Sequence, residues 1–368
     1  MKIICKQKDL SSAINIVQKA VSSRTTLPIL EGILLEAYNS TLKLTGNDLN
    51  IGIEKKIDID IIEPGSVVIS SRLFGEIIRK LPSSDVELSL DDNKLTIKCE
   101  KSKFVLTGQD PLQFPELPSV TDENSLSMDK ELFNSMIKQT IFAISQDENR
   151  PILTGSLLEL KDNVLSIVSI DGKRLAVRKA TIESNSNFKM VVPAKALNEV
   201  NKIIASSNKD ESEFTILSTD KHILFEVDDI KVVSRLLEGE FIKYAQMFPT
   251  EFKTKVEVDT DELLSSVERA SLLAKEGKNG AIKLAVGPNM IEITSNAEIG
   301  SVNESVFIDM DGNELEIGFN PRYISEALKV IDSEKVVLEF ITEVSPCIIK
   351  PADNDNFTYL VVPVRMAN

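Results

Sequence analysis

The side chains able to do chemistry in this chain are a few acids beside turns, one histidine, three cysteines and a recurrent set of cations. Asp48, Glu159 and Asp171 are the acids that invite a catalytic reading. No nucleophile, base and orienting group surround them in a workable pattern, and an acid beside a turn ordinarily caps backbone amides or stays in solvent. Acids alone do not make a paired-metal centre either. His222 is the only histidine. Cys5, Cys99 and Cys347 are odd in number and far apart, which points to buried free thiols rather than a disulfide framework or a zinc site. Gly32, Gly46 and Gly172 do not compose a phosphate-binding fingerprint. The expectation is a non-enzyme that uses neither metal nor cofactor.

The cations carry a different chemistry. Arg72, Arg79, Lys80, Lys138, Lys195, Lys202, Arg269, Arg322 and Lys329 fall outside the apolar stripes of their helices. If one concave face holds them, duplex phosphates are the fitting partner, because ammonium and guanidinium groups contact phosphate without reading base identity. Any one of them alone is ordinarily a solvated residue; their recurrence from copy to copy raises the set above its members. A formal net charge of -15 excludes a simple basic DNA-coating protein, yet an acidic exterior is compatible with a basic face. Tryptophan is absent and tyrosine scarce, which disfavours a stacking platform for single strands.

The elements that position these cations are repeated. Leu27-Pro28-Ile29-Leu30-Glu31-Gly32-Ile33-Leu34-Leu35-Glu36 has the grammar of Arg150-Pro151-Ile152-Leu153-Thr154-Gly155-Ser156-Leu157-Leu158-Glu159, and Pro28 and Pro151, Gly32 and Gly155, and Asp48 and Asp171 are each 123 residues apart. A chain of 368 residues exceeds what one core usually supports, and the offset divides it into three units of roughly 120 residues. Their bounds are 1–122, 123–250 and 251–368. Apolar spacing predicts helices over Asp9–Val21, Ser71–Leu81, a stretch opening at Ser127–Lys130, Ala194–Ile204, Thr260–Leu273 and Pro321–Ile331. Short strands fill the remainder, about eight to a unit. The third copy is the most divergent, with Gly280-Ala281-Ile282-Lys283-Leu284 where the others place the proline-led block. Two helices among many strands in each copy fit curved antiparallel sheets with helices on one side, an α+β fold, better than a doubly wound parallel sheet. Closing such an array through a cyclic dimer satisfies two interfaces at once. No stretch approaches about eighteen uninterrupted apolar residues, so the expectation is a soluble cytoplasmic protein without a membrane segment.

At Arg24-Thr25-Thr26-Leu27-Pro28-Ile29-Leu30, Leu44-Thr45-Gly46-Asn47-Asp48-Leu49, Asp171-Gly172-Lys173-Arg174-Leu175-Ala176-Val177, Glu316-Ile317-Gly318-Phe319-Asn320 and Val361-Val362-Pro363-Val364-Arg365-Met366, the chain closely resembles the bacterial DNA polymerase III beta subunit family, the replicative sliding clamps. The match runs over essentially the whole length. It implies three clamp domains per chain, each with two helices packed on curved antiparallel sheets, in a head-to-tail homodimeric ring that encircles duplex DNA without sequence specificity. It implies as partners the polymerase III alpha subunit, an ATP-driven clamp loader and other replication and repair proteins carrying short clamp-binding motifs. A different class of function, a non-encircling protein scaffold, is the alternative.

The resemblance also implies sites. Leu153, Thr154, Gly155, Asp171, Gly172, Arg174, Leu175, Met247, Val361, Val362, Pro363, Val364, Arg365 and Met366 match the lining of the family's peptide-binding groove. Leu175, Val361, Val362 and Met366 would take leucine or phenylalanine anchors, Met247 would adapt to varied partners, and Arg174 would orient a polar peptide residue. Lys173 stands where the family often has histidine, and Ile242 where some members have proline. For DNA, Arg24, Asn149 and Arg150 are carried over; Pro151-Ile152 replaces a tyrosine pair of some members, which leaves electrostatic contact. Phe104 matches one side of the subunit boundary, Leu272 and Leu273 the other.

Overall fold

The computed structural model describes residues 1–22, 25–120, 124–184, 186–207, 213–276 and 280–365. Six α-helices are found among them: α1 (Gln7–Val17), α2 (Ser71–Lys80), α3 (Lys130–Lys138), α4 (Ala194–Ser206), α5 (Thr260–Ala274) and α6 (Pro321–Leu328). All six lie where apolar spacing predicts helix, with ends shifted by a few residues. Helix α1 gives way to a 3-10 turn at Gln18–Ala20, and α2 stops at Leu81 because Pro82 has no N–H to continue the ladder. Asp259 caps α5 by accepting the Glu262 N–H at 2.8 Å; Asn320 caps α6 by accepting the Arg322 N–H at 3.0 Å, with Pro321 in the first turn.

The three copies share one strand plan, and all their pairings are antiparallel. In the first, Gly32–Tyr38, Thr41–Asn47 and Ile51–Asp58 form a meander and Gly65–Ser70 returns beside the first strand before α2. Gly155–Lys161, Val164–Ile170, Arg174–Thr181 and Phe188–Pro193, followed by α4, repeat that order. Ile282–Val286, Met290–Ala297, Gly300–Phe307 and Leu315–Phe319, followed by α6, repeat it again. Each copy adds a second half-sheet in which the strand before its first helix pairs with a three-strand meander after its second. These halves are Lys2–Lys6 with Asp85–Asp91, Lys94–Cys99 and Ser102–Thr107; Asn124–Asp129 with Glu213–Ser218, His222–Val227 and Ile230–Arg235; and Thr254–Asp259 with Lys335–Phe340, Cys347–Pro351 and Phe357–Val361. The fold is α+β with repeated domains and helices on sheets.

By contact density the chain divides into two compact units, Met1–Asn134 with Lys195–Leu236, and Ser135–Ala194 with Leu237–Asn368. In the first, Ile230–Arg235 pairs with Ile51–Asp58 and fuses two half-sheets into an eight-stranded sheet. In the second, Arg174–Thr181 pairs with Phe357–Val361 and does the same in a nine-stranded sheet. Helix α1 buries Leu10, Ala13, Ile14 and Val17 within the first unit. Helix α5 buries Leu263, Val267, Ala270 and Ala274 in a core with Ile291, Ile293, Phe340 and Tyr359 in the second.

The proline-led blocks become 3-10 turns, Pro28–Glu31 and Pro151–Thr154, each delivering the chain into a strand through a glycine. A Cβ at Gly32 would lie 2.4 Å from the Val68 side chain, and one at Gly155 would lie 2.3 Å from the Val192 carbonyl oxygen. Close approach of the return strand therefore explains both glycines. Gly300–Phe307 is one strand whose polar residues lie on a largely exposed edge and give no half-buried alternation to read. Short strands also run over Asp60–Glu63 and Asp309–Gly312. No helix among the described residues is long and apolar enough to cross a membrane.

Candidate partner groove and nucleic-acid face

The groove candidates lie on the nine-stranded sheet and at its end. Leu153 and Leu175 share a core cluster with Ile170, Phe241 and Leu360, and Tyr244 and Phe248 pack against it. Thr154 closes the 3-10 turn by donating its hydroxyl to the Pro151 carbonyl at 2.7 Å, and Gly155 opens the strand behind it. Met247 ends the 3-10 turn Tyr244–Met247 and is 41% exposed. Period-two alternation separates Leu175 from Val361, two of the residues expected to take apolar anchors. Leu175 pairs with Leu360 and Arg174 with Val361. Val361 is fully buried in the core on the other sheet face, so it has no surface for a peptide anchor; Leu360, absent from the sequence-based set, is the tail residue beside Leu175.

Asp171, Gly172 and Lys173 form a tight turn. One Asp171 carboxylate oxygen accepts the Lys173 and Arg174 amides at 2.8 and 3.1 Å, and Gly172 occupies the left-handed region at φ 88°. The Lys173 carbonyl accepts the Val362 N–H at 2.9 Å, and the Gly318 carbonyl accepts that of Val364 at 2.8 Å, fastening the tail. Val362, Pro363, Val364 and Arg365 border a cleft of about 810 Å³ with Lys283, Gly318 and Val344. Met366 lies outside the described residues.

Arg174 departs most from expectation. Its side chain is 5% exposed. Nε donates to the second Asp171 carboxylate oxygen at 2.9 Å, Nη1 to Glu326 and Nη2 to the Phe142 carbonyl. The guanidinium also lies over the Tyr323 ring, 4.5 Å from its centroid. Burial opposes its charge, and the bonds with Glu326 and Asp171 outweigh that, leaving its pKa raised. A cation engaged in this way braces the Asp171 turn against α6 and the Phe142 carbonyl, with little of its surface left open. Sequence reasoning missed Phe142 and Glu326, for which no local signal exists.

The expected DNA cations fall into two groups. Arg72, Arg79, Lys80, Lys138 and Arg150 are exposed and have no ion pair among the described residues. Lys195 pairs with Asp48 at 2.5 Å, Lys202 with Glu199 at 2.8 Å, Arg269 with Glu304 at 2.7 Å, Arg322 with Glu326 at 2.7 Å and Lys329 with Glu268 at 2.7 Å. Asn149 turns its amide onto Asp147 at 2.7 Å, and the Asn149 backbone and side-chain N–H groups hold that carboxyl below its usual range. Arg24 lies outside the described residues. Phe104 is 41% exposed on the edge strand Ser102–Thr107; on α5, Leu272 is exposed and Leu273 half-buried.

Among the described residues no cluster of histidine, cysteine, aspartate or glutamate has the grouping to hold a metal ion. Cys5, Cys99 and Cys347 are buried and unbridged, and burial pushes the Cys5 thiol up to about 12.

Three family profiles match the chain end to end: DNA polymerase III beta subunit N-terminal domain over residues 1–118, central domain over 127–243 and C-terminal domain over 245–365. A beta sliding clamp of Staphylococcus epidermidis is 40% identical over 377 aligned residues, covering 99% of both chains. Among solved structures, a putative DNA polymerase III beta subunit from Eubacterium rectale superposes with a TM-score of 0.94 at 40% identity, and the DNA polymerase sliding clamp of Bacillus subtilis with 0.96 at 35%, each covering all of both chains.

Proposed function

Because this chain belongs to the DNA polymerase III beta subunit family, the sliding clamps of bacterial replication, we propose that it closes head to tail with a second copy into a ring around duplex DNA. It is a non-catalytic processivity factor: the ring slides on the duplex and tethers the polymerase. Distributed, sequence-independent phosphate contacts suit that task, since tight base readout would oppose translocation.

The observation that carries the head-to-tail reading is a missing pairing. Two strands that end a three-strand meander, Ile230–Arg235 and Phe357–Val361, each pair with the third strand of another copy's first half-sheet, Ile51–Asp58 and Arg174–Thr181, through five residue pairs apiece. The equivalent of the donors in the first copy is Ser102–Thr107, and the equivalent of the acceptors in the third is Gly300–Phe307. Both are sheet edges, paired on one side only among the described residues. They carry exposed apolar residues, Phe104 and Val105 on one, and Phe307 with the neighbouring Ile299 on the other. An open apolar edge is an aggregation hazard unless a partner covers it, and a heterologous contact that closes on itself gives a ring rather than a filament. Antiparallel pairing of these edges across two chains is the third join of the same kind, with Phe104, Leu272 and Leu273 at or beside it.

Within this reading the chain carries three clamp domains, 1–122, 123–250 and 251–368, on curved sheets. Arg24, Asn149 and Arg150 and the helix cations Arg72, Arg79, Lys80, Lys138, Lys195, Lys202, Arg269, Arg322 and Lys329 face the duplex. The groove from Leu153–Gly155 and Asp171–Leu175 to Met247 and the tail through Met366 takes apolar-anchored peptides from the polymerase alpha subunit, the loader and repair proteins in the cytoplasm. Val362 and Met247 supply its accessible apolar groups, with the buried Leu175 and Leu360 packed in the core beneath.

The test is retention on DNA circles. Protein loaded onto a nicked circular plasmid should co-elute with it in gel filtration and leave when a restriction enzyme linearises the plasmid. Equal retention on circle and line identifies a non-encircling scaffold and ends the ring reading.

A further inference from the structure

Glu326 is shared between two cations of opposite exposure. One carboxylate oxygen accepts Nε of Arg322 at 2.7 Å, whose side chain is 72% exposed; the other accepts Nη1 of the buried Arg174. From there the bonds run on without a break. Arg174 holds Asp171, Asp171 holds the Lys173 amide, and the Lys173 carbonyl holds the N–H of Val362. An exposed cation on α6 is thus joined through the Glu326 carboxylate, the buried Arg174 guanidinium and the Asp171 carboxylate to the tail segment that borders the groove.

We infer that a duplex phosphate at Arg322 tightens peptide binding at the groove, with Glu326 as the residue that carries the coupling and Arg174 as a positioning residue. The inference rests on the sliding-clamp reading above. Glu326 takes only Nε of Arg322, so a phosphate bound in bidentate fashion through Nε and the adjacent Nη displaces that carboxylate. When phosphate takes Arg322, Glu326 belongs to Arg174 alone, and that pair is the less screened of the two because it is buried. The shared and unshared carboxylate are two discrete arrangements, which is what coupling between sites requires. In the unshared one the turn Asp171–Lys173 and its bond to Val362 are held more firmly, so an incoming peptide has less ordering left to impose.

The gain belongs at the low end of the usual range for linked sites, about five-fold in peptide affinity, because one shared bond transmits it. Reciprocity requires a saturating peptide to strengthen equilibrium duplex binding by the same factor.

The experiment compares free clamp with clamp loaded on a nicked circular plasmid by an ATP-driven loader, each titrated with a fluorescent synthetic peptide carrying leucine and phenylalanine anchors. Wild type should bind the peptide about five-fold more tightly when loaded. Free Arg322→Ala, in which Glu326 is already released to Arg174, should bind as loaded wild type does and gain nothing further on loading. Glu326→Gln should show no difference between free and loaded states, whatever its absolute affinity; a purely structural role would shift both states together and leave the ratio intact. Equal affinities for free and loaded wild type, or a full gain retained in Glu326→Gln, overturns the coupling. Failure of wild type to remain on the circle overturns the clamp reading and the coupling with it, so the two failures are distinguishable.

Discussion

The division of the expected DNA cations into paired and unpaired groups makes a quantitative prediction about salt. Each phosphate neutralised on a B-form duplex contributes about 0.9 to the slope of log affinity against log salt. Helix α2 carries Arg72, Arg79 and Lys80, all exposed and without an ion pair among the described residues. Replacing the three with alanine removes six unpaired cations from a dimer, so the slope should shrink by up to about 5 if every one meets a phosphate. The contrasting variant removes two pairs as units, Lys329→Gln with Glu268→Gln and Arg269→Gln with Glu304→Gln, whose partners lie 2.7 Å apart in each case. That change is charge-neutral, and each cation must break its pair before it can neutralise a phosphate, so the slope should stay within about 1 of wild type. Fluorescence anisotropy of a labelled linear duplex, titrated with dimer at several salt concentrations, reads both slopes. These are surface substitutions, for which folding changes of about 0.5 kcal/mol are usual, and a thermal melt verifies that the fold is kept. A slope that falls as far for the neutral pair removals as for the α2 variant refutes the argument that a carboxylate partner lowers a cation's contribution to phosphate binding.

Arg174→Leu should destabilise the protein by about 3 kcal/mol, the lower end for breaking a buried pair, because Asp171 and Glu326 retain some solvent access; urea denaturation measures it, and a loss below about 1 kcal/mol contradicts the packing described. Burial alone would raise the Glu326 carboxyl, and the bonds from Arg174 and Arg322 overcome it, so its pKa lies below the ordinary 4.5. A depressed folded value contributes stability that is present above the unfolded pKa and lost as pH falls through the folded one. Acid unfolding of Glu326→Gln should therefore lack part of the wild-type loss below pH 4.5, and superimposable profiles would count against the shift. Phe104→Asp should weaken self-association by about a thousand-fold, because each of the ring's two equivalent interfaces loses one central apolar contact worth about 2 kcal/mol; sedimentation equilibrium reads it, and an unchanged dimer would move the interface elsewhere.

What could be read from the sequence had local causes. The offset between Pro28 and Pro151 survives because each proline starts a 3-10 turn and each following glycine passes too close to a return strand to carry a side chain. The helices show because their apolar spacing has to match a sheet. What could not be read depends on distance along the chain. Arg174 meets Glu326 152 residues away, and nothing near Asp171-Gly172-Lys173-Arg174 distinguishes a buried cation from one on a groove rim. Lys195 reaches Asp48 across 147 residues, so its pairing is equally hidden, whereas Arg322 with Glu326 and Lys202 with Glu199 stand at helical spacings and were open to inspection. The composition carries a further clue. With 57 acidic residues against 42 lysines and arginines, a cation on this surface finds a carboxylate by default. The informative cation is the one left without a partner, and α2 places three of them within ten residues. On the sliding-clamp reading, an acidic protein holds a polyanion through those unpaired cations, because net charge does not set the sign of each local surface.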